Sequence, residues 1–148
     1  MTGVGNIIYC INMKSIKVKV YWAEKNYCCG WSDDSVGSIV CTHKTLEGVK
    51  QAFEESLDFH MEGMAADGDR VPEWYVNKEF DIDYELEVSA LLRSIEAYTT
   101  MAAISRATGI NQKQLSHYAS SQKIPRTQQR EKIVDGLHRI GEAFLAIR

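Results

Sequence analysis

Ile16, Val18, Val20 and Trp22 alternate with Lys17, Lys19 and Tyr21, the period of a strand that buries one face. Glu24 to Asn26 form a polar turn, Tyr27 to Trp31 reads as a second strand, Ser32 to Gly37 as a loop of turn formers and Ser38 to Thr42 as a third strand. Together they predict a short antiparallel meander. Thr45 is placed to cap the next helix, with Glu47 favourable in its first turn, and Leu46, Val49, Phe53, Leu57, Met61 and Met64 trace one apolar stripe that must lie on the sheet. Residues 66–72 end that helix as a loop. From Phe80 to Val88 the alternation is unbroken: Phe80, Ile82, Tyr84, Leu86 and Val88 face one way, and Asp81, Asp83, Glu85 and Glu87 the other. Such a carboxylate row either deters casual pairing of an exposed strand or offers a face to a basic protein.

A helix from about Ser89 to Tyr98, with Leu91, Leu92 and Ile95 as its core face, follows almost directly. Met101 to Ser120 then reads as a helix-turn-helix. Ser105 is small enough for the second helix to approach the first, and Gly109 sits where the chain reverses after a helix. Ile104, Ile110, Leu115 and Tyr118 supply the seam. Asn111 can cap the second helix, Gln114 can reach back, and Ile110 can pack on Leu115. A helix fixed this way presents Gln112, Lys113, Ser116, His117 and Ser120, donors and acceptors suited to base edges; the competing reading is a solvated helical hairpin. A basic, proline-marked loop from Gln122 to Arg126 leads to a long helix, Thr127 to Ile147, with Ile133, Leu137, Ile140, Phe144 and Ile147 on one stripe and Val134, Gly141 and Leu145 along a second edge. That edge exceeds what a three-helix core needs and predicts a homodimer or higher oligomer.

The net charge of −3 over 148 residues conceals a split at Ser89. Residues 1–88 carry 8 Lys and Arg against 16 Asp and Glu, a net −8, whereas residues 89–148 carry 9 against 4, a net +5. Two surfaces with opposite partners are expected, the basic one for phosphate. Lys113, Lys123, Arg126 and Arg130 are the candidate phosphate contacts, and Asn111, Gln112, Ser116, His117 and Ser120 lie along the base-facing helix. The candidate acidic contacts for a basic partner are Glu54, Asp58 and Glu62 on one helix flank and Asp81, Asp83 and Glu85 on the strand.

The four cysteines, Cys10, Cys28, Cys29 and Cys41, have neither CxxC nor zinc-finger spacing and read as reduced thiols. With no membrane-length apolar run and no basic signal-peptide start, a cytoplasmic protein without membrane contact is expected. The uncharged first twelve residues lack clear periodicity, so Met13 reads as the natural start of translation.

Thr108-Gly-Ile-Asn-Gln-Lys-Gln-Leu-Ser-His-Tyr118, Pro125, Glu131-Lys-Ile, Leu137-His-Arg-Ile-Gly141 and Phe144-Leu145 closely resemble the Xre/Cro-like domain of HicB antitoxins. The strand pair, acidic loop and third strand before Thr45-Leu46-Glu47 are similar to the partial ribonuclease-H-like fold of that family. Ser32 to Gly37 stand where the family usually carries a Pro-Asp and Pro-Gly pattern. The resemblance implies an α+β chain: a small antiparallel sheet with one packed helix over residues 13–88, followed by an all-α helix-turn-helix domain over residues 89–148. It implies a type II antitoxin, with no cofactor, that binds a small HicA-like mRNA-cleaving toxin through the first domain and operator DNA through the second.

Two other classes compete. A stand-alone transcriptional regulator with an N-terminal ligand- or protein-sensing domain shares the helix-turn-helix. An enzyme holding two metals would need Asp33, Asp34, Asp81 and Asp83 to converge. Cys28 and Cys29 lie in a strand, and neither His43 nor His60 has a spacing that places it beside them, so nucleophilic catalysis is not expected and the chain reads as a non-enzyme.

Overall fold

The first alternating run forms β1 (Lys14–Ala23), with Ile16, Val18 and Val20 fully buried on its inner face. The computed structural model describes residues 12–148. The reading of Met13 as the natural start and of Cys10 as a reduced thiol concerns the segment before residue 12, outside the described residues. A turn with Glu24 at φ 56° leads into β2 (Asn26–Asp33), and β3 (Gly37–His43) completes an antiparallel meander. Thr45 caps α1 (Leu46–Ala66) by accepting the Gly48 N–H at 3.0 Å. The stripe that lies on the sheet buries Val49, Phe53, Leu57 and Met61, with Leu46 and Met64 half-covered at its ends. Phe53 meets Trp31 and Tyr84 edge-on at 6.3 and 6.2 Å.

Pro72 opens an unexpected short helix, α2 (Glu73–Val76). Its Trp74 and Tyr75 pack on Phe80, the former edge-on at 5.5 Å and the latter stacked at 5.8 Å. β4 (Phe80–Leu86) then lies beside β1, so the strand order is β3-β2-β1-β4. The pairing of β4 with β1 is parallel, which corrects the expectation of a wholly antiparallel sheet. The strand also stops at Leu86: Val88 prolongs the alternation in sequence but is buried in a different core.

That second core belongs to four helices: α3 (Val88–Ser94), α4 (Met101–Thr108), α5 (Gln112–Ala119) and α6 (Thr127–Leu145). Leu92, Ile104, Leu115 and Ile133 are its fully enclosed centre, and Leu91 and Ile95 are only half-buried. Along α6, Leu137 and Ile140 are half-buried, whereas Phe144, and Ile147 just beyond the helix, are 54% and 75% exposed. The expected apolar stripe thus outruns the helices it packs on. No described helix is long and apolar enough to cross a membrane.

At Gly136, α6 packs tightly against the end of α4. A Cβ there would sit 2.5 Å from the Thr108 methyl. Thr108 is not free to swing aside, because its hydroxyl donates to the Ile104 carbonyl at 2.7 Å and accepts the Ile110 N–H at 3.2 Å. Gly136→Ala is therefore expected to cost about 1–3 kcal/mol in overpacking, offset by about 1 kcal/mol of helix propensity. Adding Thr108→Ser, which keeps the hydroxyl and deletes the methyl, should bring the double variant close to or above the Thr108→Ser parent. Urea melts of the four proteins check this, and identical Gly136→Ala effects in both backgrounds would refute the contact.

The β2–β3 turn is pinned by Asp33, whose carboxylate accepts the Ser35 N–H at 2.9 Å and lies 2.9 Å from the Lys14 ammonium. The Ser35 hydroxyl and amide, with Lys14, hold its pKa down to about 2. A carboxyl depressed in the folded state stabilises above its unfolded pKa of about 4 and loses that contribution as pH falls through the folded value. Asp33→Asn should accordingly lower the melting temperature at neutral pH and flatten its decline between pH 4 and 2. Parallel acid limbs in thermal melts of the two proteins would refute this.

Candidate nucleic-acid interface

Thr100 starts α4 by accepting the Ala103 N–H at 3.1 Å, and Gly109 ends it at φ +74°. A Cβ at Gly109 would touch nothing within 4 Å, so the glycine is required by the left-handed backbone alone. Asn111 then caps α5 through the Gln114 N–H at 2.8 Å. The Gln114 side chain does not reach back to complete a capping box; its amide donates to the Tyr118 hydroxyl at 2.7 Å. Ile104, Ile110, Leu115 and Tyr118 form the buried seam as expected, joined by Ala119, and Ser105 is half-buried.

With the seam inside, α5 leaves Asn111, Gln112, Lys113, Ser116 and Ser120 exposed. His117 stands apart from this row: it is half-buried, and its Nδ1 is enclosed without a hydrogen-bond partner. Lys123 and Arg126 are exposed on the loop that follows. That loop is fixed by Lys123 N–H donating to the His117 carbonyl at 3.2 Å. Arg130 is placed elsewhere. Half-buried, it lines a groove with Lys19, Asp83, Glu85, Glu87 and Leu91, and also a pocket of about 150 Å³ with Ser89, Tyr118, Ser121 and Lys123. Arg130 thus lies at the junction, between the acidic end of β4 and the C-terminal end of α5.

The close join of strand and helix is as the sequence predicts, but the contacts that hold it were not anticipated. Glu87 alone separates β4 from α3, and the Trp22 main chain is held from both sides. Its N–H donates to Ser89 Oγ at 2.9 Å, and its carbonyl accepts from Ser121 Oγ. Arg93 lies over the Trp22 ring at 4.4 Å and pairs with Glu96 at 2.9 Å. A serine at a helix start and a tryptophan at a strand end carry no sequence signal that they meet.

The six candidate carboxylates of the acidic half fall into two rows, one on the outer face of β4 and one on α1. Asp81, Asp83 and Glu85 are exposed on the outer sheet face, where Lys17 and Lys19 stand opposite Asp83 and Glu85 on β1 and Lys17 pairs with Glu85 at 3.7 Å. Glu54, Asp58 and Glu62 are exposed on α1. Tyr75 donates to Asp58 at 2.6 Å, and the Tyr84 hydroxyl lies 3.1 Å from Glu54. Burial first, then the hydrogen bond and charge of Asp58, raise the Tyr75 pKa to about 12. Burial and Glu54 raise that of Tyr84 as well. Both phenols therefore stay protonated donors at neutral pH.

Asp33 and Asp34 at the β2–β3 turn are not brought together with Asp81 and Asp83, and among the described residues no group of three or more His, Cys, Asp or Glu side chains is arranged to hold a metal ion. Cys28, Cys29 and Cys41 are buried free thiols, with Cys29 raised to about 12 mainly by burial. His60 Nε2 lies 2.6 Å from the Val36 carbonyl, tying α1 to the β2–β3 turn. No protein-family model, curated protein or solved structure matches this chain.

Proposed function

We propose that this chain is a cytoplasmic type II antitoxin: residues 13–88 cover a small basic, HicA-like mRNA-cleaving toxin, and residues 89–148 bind operator DNA and repress the operon that encodes it. The observation that carries the reading is the exposed row of Gln112, Lys113, Ser116 and Ser120 on a capped, seam-locked α5, with Lys123 and Arg126 beyond it. The acidic rows on β4 and α1 supply charge complementary to an RNA-cleaving protein. Phe144, Leu145 and Ile147, exposed at the end of α6, supply an apolar surface for a two-fold dimer, which suits operator half-sites roughly 34 Å apart. A monomer by light scattering at micromolar concentration would overturn the dimer.

Co-expression with the short reading frame beside its gene tests the antitoxin reading: rescue of growth and co-purification are expected, and a harmless neighbour without a complex would overturn it. The DNA half has its own test. Gln112→Ala should cost about 1–3 kcal/mol at one base position, since glutamine pairs bidentately with adenine. Lys113→Ala should weaken binding to all sequences alike and reduce the salt slope by about one. Equal losses on operator and random duplexes for Gln112→Ala would remove it as a base reader.

A second reading draws on the junction pocket lined by Glu87, Ser89, Tyr118, Ser121, Lys123 and Arg130. It is a stand-alone regulator that senses a small ligand there, and it becomes the better account if no toxic neighbour exists.

A further inference from the structure

β4 is an edge strand, and among the described residues it pairs with β1 alone. The direction of that pairing identifies which of its backbone groups are spent. Lys14 N–H donates to the Glu79 carbonyl at 2.9 Å and Glu87 N–H to the Val20 carbonyl at 2.8 Å. In a parallel ladder the intervening odd-numbered residues of β4 face β1 in the same way. The N–H and C=O groups of Phe80, Ile82, Tyr84 and Leu86 consequently point to the open edge.

The side chains of those same four residues face inward yet remain half-exposed, whereas Ile16, Val18 and Val20 on the neighbouring strand are fully buried. The core thus reaches the edge before it is covered. Beside it, Phe80 and Ile82 share a groove with Leu57, Glu54, Asp58 and Lys78. A strand laid along β4 would direct alternate side chains to the outer face, beside Asp81, Asp83 and Glu85, and the rest toward this groove, beside Glu54 and Asp58. Carboxylates flank both sides of the vacant position. Two copies of β4 brought edge to edge would oppose their own acidic rows, which disfavours self-pairing.

We propose that β4 accepts an extended, lysine- or arginine-bearing segment of a partner protein as a fifth strand. Main-chain hydrogen bonds from the even-numbered residues supply the attachment, apolar side chains of the segment complete the cover over Phe80 and Ile82, and the two carboxylate rows select for positive charge. This deepens the antitoxin reading and rests on it only for the identity of the partner.

The test uses the isotope-labelled full chain and a capped eight-residue peptide alternating lysine and valine. Amide shifts concentrated at Phe80, Ile82, Tyr84 and Leu86 are expected, with slowed hydrogen exchange at those positions. The same peptide with glutamate for lysine should give neither. The Asp83→Lys, Glu85→Lys double variant, altered only at exposed side chains, should weaken the lysine peptide by about tenfold at low salt. No response at the β4 edge, shifts located elsewhere, or equal binding of the acidic peptide would overturn the proposal. A failed toxin rescue with an intact peptide response would sink the antitoxin reading and leave the edge site standing. The reverse pair of results would do the opposite.

Discussion

Leu115→Ala is expected to cost about 2–5 kcal/mol and, on the proposed DNA-binding reading, to abolish operator binding at temperatures where the parent binds. Leu115 is fully buried at the centre of the seam among Ile104, Ile110, Tyr118 and Ile133, and nothing from solvent fills the space it leaves. A cavity there removes the contact that sets the angle of α5 against α4, so the exposed row loses its fixed presentation before the helices melt. Urea titration followed by far-UV circular dichroism gives the stability, and electrophoretic retention of a duplex from upstream of the gene gives the binding. Retention unchanged at a temperature where the variant is folded would show that the seam does not set the DNA-reading surface.

Phe53→Ala should be at least as severe, about 3–5 kcal/mol. Phe53 is completely enclosed between α1 and the sheet, and it loses the edge-on contacts with Trp31 and Tyr84 as well as its buried area. The variant is expected to unfold in one transition that carries the helical half with it, because the two cores share a junction with almost no free chain. Tryptophan fluorescence follows mainly the sheet side, where Trp22, Trp31 and Trp74 lie, whereas far-UV dichroism sums the helices of both halves, with α3 to α6 outweighing α1. Two separate midpoints by these probes would refute the coupling.

Local pattern foretold local structure well. The alternation of β1, the stripe of α1 with its Thr45 cap, and the Gly109 reversal all follow from periodicity and backbone preference, which act within a few residues. What the sequence concealed were meetings between distant segments. Alternation in residues 80–88 tells which side chains share a face and says nothing of the neighbouring strand, so the parallel seat of β4 against β1 was illegible. Val88 extends the alternation because an apolar residue suits either core, and only the tertiary fold assigns it to the second. The α2 turn after Pro72 is too short to have a period. Of the candidate site, the exposed row of α5 was readable from its cap and seam. The place of Arg130 at the junction beside β4, and the enclosure of His117 Nδ1, depend on where α6 and the loop before it come to rest.

The single residue Glu87 between β4 and α3, with Trp22 gripped by Ser89 and Ser121, leaves little slack for one half to move without the other. Thermodynamic reciprocity follows for any pair of ligands that use the two halves. By whatever factor an added strand on β4 alters the affinity of α5 for DNA, the bound duplex must alter the affinity of β4 for that strand by the same factor. On the proposed function, occupancy of the operator and occupancy of the protein partner are then one shared equilibrium, measurable from either end.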